Sequence, residues 1–163
     1  MLQYLIVFLV SMVPIVELRG AIPIAAGYIT AGYDLSMPLS FVIAVVGNML
    51  PVPFIYLFAR KVLEWGADKP VIGKFFTFCL VKGEKGGKKL QEKAGRGLFV
   101  ALLLFVGIPL PGTGAWTGTL AASLLDMDFK SSILACMGGV LLAGIIMYTL
   151  SVVAAGTFAA LFL

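Results

Sequence analysis

The sequence predicts an all-α polytopic membrane protein built from two inverted repeats. In each repeat a re-entrant helical hairpin precedes a spanning helix, and a basic cytoplasmic amphipathic segment joins the two. Three observations carry this. Of 163 residues only 20 are Asp, Glu, Lys or Arg. Hydrophobic residues make up 61% and mean hydropathy is +1.07, against about 45–50% apolar and about 25% charged residues in soluble domains. Long uncharged runs alternate with shorter apolar segments interrupted by Gly and Pro, the pattern that points to transporter binding sites. A soluble globular domain, a disordered chain and a nucleic-acid-binding domain are excluded.

Charge is confined. Between Arg60 and Arg96 lie ten Lys/Arg and four Asp/Glu, a net of +6; the rest holds Arg19 and Lys130 against Glu17, Asp34, Asp126 and Asp128, a net of −2. The high isoelectric point therefore describes one loop and not a nucleic-acid surface. No histidine is present, which removes His-based zinc sites and the usual general base. Cys79 and Cys136 stand alone, with no metal or disulfide pattern. No cofactor is expected. Met1–Val16 carries no Lys or Arg, and Pro14–Arg19 has no A-x-A pattern, so it reads as part of the bundle and not as a signal peptide.

The elements follow in order. Leu2–Val16 and Ala21–Ala31 are each too short to span, and Glu17–Leu18–Arg19–Gly20 separates them. Pro38–Ala59 is 22 uncharged residues, as a helix about 33 Å, enough for a hydrocarbon core of about 30 Å. Ile72, Phe75, Phe76, Cys79 and Leu80 share one helical face beside Lys74 and Lys82, which reads either as an interfacial helix on anionic lipid or as a strap packed on the bundle. Gly83–Gly97 reads as a solvated basic linker or short helix. Leu98–Ile108 and Ala115–Leu125 are again short, separated by Pro109–Leu110–Pro111–Gly112–Thr113–Gly114. Ser131–Leu163 is 33 residues without a charge. One crossing falls within it, and the remainder tilts, breaks near Gly156 or lies at the interface.

A shift of 94 residues places Gly20–Ala21 on Gly114–Ala115 and Asp34 on Asp128. Each half then reads hairpin, acidic connector, long helix. This gives a single membrane domain with repeats at 1–59 and 97–163 and a loop at 60–96. The basic loop is cytoplasmic by the positive-inside rule, so the first hairpin dips from outside, the second from the cytoplasm, and the tips meet near the midplane. The alternative is two full spanning helices with kinks.

The candidate site lies in the tips. Glu17 and Arg19 sit in apolar surroundings, where an Asp, Lys or Arg at a membrane helix centre costs roughly 2.5–3.5 kcal/mol. In the functional reading Arg19 contacts an anionic substrate group, while Glu17 carries a proton or holds Arg19. The other readings are a structural ion pair and a shallow, hydrated tip. Two residues apart on a regular helix, they would point about 200° apart, so a direct pair requires broken backbone, which Pro14, Gly20 and Pro23 allow. In the second tip, Pro109 and Pro111 remove donors, and Gly112 and Gly114 permit a sharp reversal. Thr113 is placed to cap the helix starting near Ala115, whose N-terminus favours anions, and Thr117 can add a hydroxyl. Trp116 is an anchor, a stacking ring or packing. Gly114, Gly118 and Ala122, like Ala135, Gly139 and Ala143, form small-residue stripes for close helix approach.

Glu17–Leu18–Arg19–Gly20–Ala21–Ile22–Pro23 followed by Gly27, with Gly107–Ile108–Pro109–Leu110–Pro111–Gly112–Thr113–Gly114–Ala115–Trp116, resembles the small multidrug export protein family of compact prokaryotic membrane proteins, over nearly the whole chain. More distantly the layout is similar to DedA-type proteins, which have paired re-entrant hairpins and are implicated in moving polyprenyl-phosphate or other lipids. Those carry acids and arginines in both halves, and this second tip carries none. The resemblance implies a small transporter or exporter in the prokaryotic cytoplasmic membrane. Its substrate would be a lipid such as polyprenyl phosphate, or a small amphipathic compound; the remaining class is a non-transporting scaffold or assembly factor. An enzyme is not expected, for want of a nucleophile–base pair or metal cluster. The partners expected are membrane lipids, a small or anionic substrate and, since 163 residues are few to enclose a path, a second copy in a homodimer.

Overall fold

A computed structural model describes residues 1–69, 73, 77, 96–110 and 112–162, without the side chains of residues 60, 63, 96 and 155–162. It is helical, with no strand among the described residues. The helices are α1 (Leu2–Met12), α2 (Glu17–Thr30), α3 (Met37–Met49), α4 (Val52–Ala67), α5 (Arg96–Gly107), α6 (Ala115–Leu124) and α7 (Phe129–Phe162). The amphipathic segment expected at 70–82, the linker and Cys79 lie outside the described residues, apart from Gly73 and Thr77.

Two stretches are long and apolar enough to cross a membrane, Met37–Ala67 and Phe129–Ala154. Their outward faces carry exposed Leu39, Val42, Phe54, Leu57, Leu134 and Ile145, which water would not tolerate and lipid does. Below them, Lys69 Nζ sits 4.4 Å from the centroid of the exposed Trp65 ring, an arrangement suited to the interface.

The other four helices are shorter. At 1.5 Å per residue α1, α2, α5 and α6 measure about 15–21 Å, against a core of about 30 Å. Each pair folds back on itself. In the first, the Ser36 amide donates to the Tyr4 hydroxyl at 2.7 Å, so the start of α1 lies beside the end of α2. In the second, a Cβ on Gly118 would meet Val106 Cγ2 at 2.5 Å, and Leu98, Leu102, Ala122 and Leu125 line one groove of about 270 Å³.

Each hairpin lies against the long helix that follows it. On α3, a Cβ on Gly47 would collide with Ser11 Oγ and come within 2.6 Å of the Phe8 carbonyl of α1. On α7, a Cβ on Gly139 would lie 2.6 Å from Val106 Cβ and 2.7 Å from the Leu103 carbonyl of α5. Without a hydrophobic force between helices in lipid, such close approach is what packs them. Gly47→Ala is expected to cost about 1–3 kcal/mol through overpacking, read as a lower melting temperature of purified protein in mild detergent.

The α3–α4 path runs opposite to α7. Near one end the Phe41 and Tyr148 rings meet edge to face at 6.1 Å. Near the other, Tyr56 meets Phe129 edge to face with centroids 5.2 Å apart and its hydroxyl donates to the Met127 carbonyl. Asp128 starts α7, its carboxylate accepting from the Ser131 amide at 3.0 Å and the Ser131 hydroxyl at 3.2 Å. Those two bonds hold it below the usual carboxylate range. The cap's contribution is complete above the ordinary carboxylate pKa and is lost as pH falls through the lowered one.

Three sequence expectations change. The helix expected at 38–59 is broken at Leu50–Pro51 and runs on to Ala67, because Pro51 and Pro53 each remove a backbone donor. The last helix runs unbroken through Gly156; a glycine costs about 1 kcal/mol against alanine there, less than a severed ladder. The first reversal lies at Val13–Val16, with left-handed φ of 73° at Ile15 and 50° at Glu17, while Glu17–Gly20 forms the first turn of α2. An acidic residue suits a helix N-terminus, so the charges begin the helix and do not interrupt it.

Candidate functional site

The two reversals meet, and each supplies what the other's backbone lacks. Helix α6 starts at Gly114, which has no side chain to cap the free amides of the first turn. The cap comes from the other hairpin. Glu17, 4% exposed, accepts from the Ala115 amide on Oε2 at 3.1 Å and from the Trp116 amide on Oε1 at 3.0 Å. The carboxylate thus faces the positive end of a helix dipole.

Arg19 takes the opposite end of the same turn. Its guanidinium donates to the Leu110 carbonyl and, at 2.9 Å, to Thr113 Oγ1. Leu110 lies just past the end of α5, where carbonyls run out of helical donors and a cation is favoured. Nε of Arg19 is buried and has no partner among the described residues. Thr113 Oγ1 lies 2.9 Å from both the Ile108 and Leu110 carbonyls and accepts from the Leu110 amide at 3.3 Å. In return Trp116 Nε1 donates to the Met12 carbonyl, the last of α1, at 3.2 Å. Trp116 is therefore an anchor between the hairpins.

The glycines are fitted to this contact. Gly114 has φ +142°, and a Cβ there would collide with the Glu17 carboxylate. Gly112 has φ +82° with open space around it, so its requirement is conformational alone. A Cβ on Gly20 would strike Val16 Cγ1 of its own turn, so this glycine serves the first reversal and not the contact between the hairpins. Pro23 lies inside α2, away from the polar contacts. It lines an open apolar groove of about 610 Å³ with Ala26, Gly27, Met147 and Ser151. Pro109 lies in the second turn, and Pro111 is outside the described residues.

Two readings are corrected. Thr113 does not cap α6; its hydroxyl bonds back to the turn and to Arg19, and Glu17 is the cap. Thr117 reaches only the Gly114 carbonyl, at 3.4 Å. The hydrogen bonds of Glu17 and Arg19, both in the first turn of α2, go to opposite ends of the second turn and not to each other. Among the described residues, no group of three His, Cys, Asp or Glu side chains could hold a metal.

Sequence reasoning missed the polar residues beneath the tips. Thr119 Oγ1 lies 3.5 Å from Cys136 Sγ, both fully buried, so Cys136 is packing with a weak polar contact. Ser11, Ser40 and Asn48 are buried as well. The signal was small polar residues inside uncharged runs, which charge counting passes over.

No curated protein and no solved structure matches the chain. A family model described as "Putative small multi-drug export protein" matches residues 17–146. That span begins at Glu17, just past the first reversal, takes in Arg19, the second turn and most of both long apolar helices, and shows that the chain belongs to this family of membrane export proteins.

Proposed function

We propose that the protein is a transporter or flippase for a small amphipathic molecule with an anionic group, polyprenyl phosphate or a related lipid among the candidates. The two hairpins are re-entrant, enter from opposite faces and meet near the bilayer midplane as inverted repeats. The single observation that carries this is the mutual capping of the two tips. A buried carboxylate and a guanidinium from one short hairpin hold both ends of the other's turn, where neither hairpin is long enough to cross.

The repeat register supports the same reading. A shift of 94 residues sets Arg19 on Thr113, and these two side chains are hydrogen-bonded across a separation of 94. Equivalent positions of two halves meet in this way when a pseudo-twofold axis in the membrane plane relates them.

The site works by exchange. With Glu17 on the α6 amides and Arg19 on the α5 end, the tips are locked. An anionic headgroup competes for those amides and for Arg19, whose Nε retains one free donor. Taking them parts the tips, and the apolar groove beside Pro23 receives the tail. Glu17 has both oxygens occupied by backbone donors, which favours a role as the latch over one as the proton carrier.

The test is flux in proteoliposomes of purified protein, with anionic lipids and cationic drugs in parallel. Anionic substrates are expected to move, Arg19→Lys to keep part of the flux, and Arg19→Gln to abolish it. Drug flux with Arg19→Gln at wild-type rate would favour a cation exporter. No flux of any kind would favour the scaffold.

A further inference from the structure

Gly27 is a glycine that the fold does not require. It lies inside α2, its φ is not left-handed, and a Cβ built on it would meet nothing within 4 Å. Other glycines have visible reasons. Gly32 and Gly112 sit at left-handed φ, and a Cβ on Gly47, Gly114 or Gly139 would collide with a neighbour. A glycine inside a helix costs about 1 kcal/mol against alanine, so an unforced one keeps space free for something other than the protein itself.

That space is the groove of about 610 Å³ between α2 and α7, where Gly27 lies between Pro23 and Ala31 and faces Met147 and Ser151. Its volume is that of a ligand pocket. Along α2 it runs from Pro23 to Ala31, about 12 Å at 1.5 Å per residue. The lining suits hydrocarbon. The Thr30 hydroxyl turns back to donate to the Ala26 carbonyl at 3.0 Å, and Met147 is a flexible wall that adapts to a chain.

Crossing helices do not by themselves leave such a groove. In the register of 94 residues its α2 wall falls on 117–125, along α6, and its α7 wall falls back on 53–60 of α4. That second crossing is drawn together by the Ser123 hydroxyl on the Tyr56 carbonyl at 3.1 Å and by the Tyr56 hydroxyl on the Met127 carbonyl. Tyr56 stands there where the open groove has Leu150.

The groove starts one turn from Arg19. Arg19, Pro23, Ala26 and Thr30 stand at i, i+4, i+7 and i+11, within about 60° of one another around α2. Arg19 keeps an unpartnered Nε among the described residues. A neutral helix laid along the groove would leave that donor unmet, whereas an anionic head meets it. Moving a chain from lipid into the groove brings no hydrophobic gain, so selection here is by shape.

We infer that Gly27 is a specificity-determining residue, holding the α2–α7 groove open for one hydrocarbon chain of an amphiphile whose anionic head lies at Arg19. The head's place rests on the transport reading given above; the chain's place rests on the groove alone.

The experiment is photolabelling of purified protein in proteoliposomes by dodecyl phosphate with a diazirine on its chain, the labelled peptides being located by mass spectrometry. Labels are expected within 23–31 and 147–154, and excess unlabelled dodecyl phosphate should remove them. Dodecanol, the same chain without the charge, should compete about tenfold less well or worse. Gly27→Leu should cut the competable labelling by about tenfold or more and melt no lower than wild type in detergent, since its Cβ meets nothing and leucine suits a helix. Should Gly27→Leu fail to fold, Gly27→Met decides by the same reading. Labelling that excess dodecyl phosphate does not reduce is boundary lipid only and would overturn the site. Wild-type labelling in a folded Gly27 variant would overturn the assignment to Gly27. A dimer in native mass spectrometry that Gly27→Leu converts to monomer would give the groove to a second copy and overturn the chain. Equal competition by dodecanol would remove the head from Arg19. Competable labelling without flux of any substrate would leave the chain site standing and sink the transport reading; flux of anionic lipid without groove labelling would do the reverse.

Discussion

Gly114→Val is expected to be the most damaging single substitution in the protein. At φ +142° a β-branched residue is strained, and its Cβ would occupy the place of the Glu17 carboxylate. The α6 amides would lose their cap and a buried charge would lose its partners. The combined loss is at least about 3 kcal/mol, enough to remove most folded protein from the membrane. Gly112→Val separates the two causes: it meets the same conformational penalty, φ +82°, with nothing nearby to strike. It should cost about 1–3 kcal/mol and leave measurable flux. Comparing the two melting temperatures in detergent checks this, and equal losses would remove the Glu17 contact from the explanation.

The second large effect concerns Glu17 and Arg19 together. A hydrogen bond to a charged group contributes about 1.5–3 kcal/mol, so Glu17→Gln and Arg19→Gln should each destabilise by roughly that much. If the two served only each other, the double variant would recover. Here each holds a different end of the second turn, so removing both frees both ends. The double variant is expected to melt no higher than the less stable single variant and to transport nothing. Wild-type stability and flux in the double variant would show that the contacts across the tips are dispensable.

The hairpins were legible because short apolar segments flanked by Gly and Pro carry their own signal. That Glu17 and Arg19 would need polar partners was legible because charge is expensive in an apolar chain. Their partners were not. Glu17 binds two backbone amides 98 and 99 residues away, and a backbone amide looks the same at every position of a sequence. The cap seemed to belong to Thr113 because capping rules are local, whereas this cap comes from another hairpin. The break at Leu50–Pro51 was written in two prolines, but counting only charges made 38–59 look continuous. Asn48 was hidden in that same run, since a single amide barely lowers mean hydropathy.

The central claim is that both turns return to the face they came from and meet between the faces. Four cysteines in a background lacking Cys79 and Cys136 test it, with an impermeant maleimide applied to intact cells and to inverted vesicles. Leu2→Cys and Asp34→Cys flank the first hairpin, and Gly97→Cys and Lys130→Cys flank the second. The account predicts that the first two label only from outside and the last two only from the cytoplasm. Labelling of Leu2→Cys and Asp34→Cys from opposite sides, or of Gly97→Cys and Lys130→Cys from opposite sides, would make that segment a single kinked spanning helix and contradict the account.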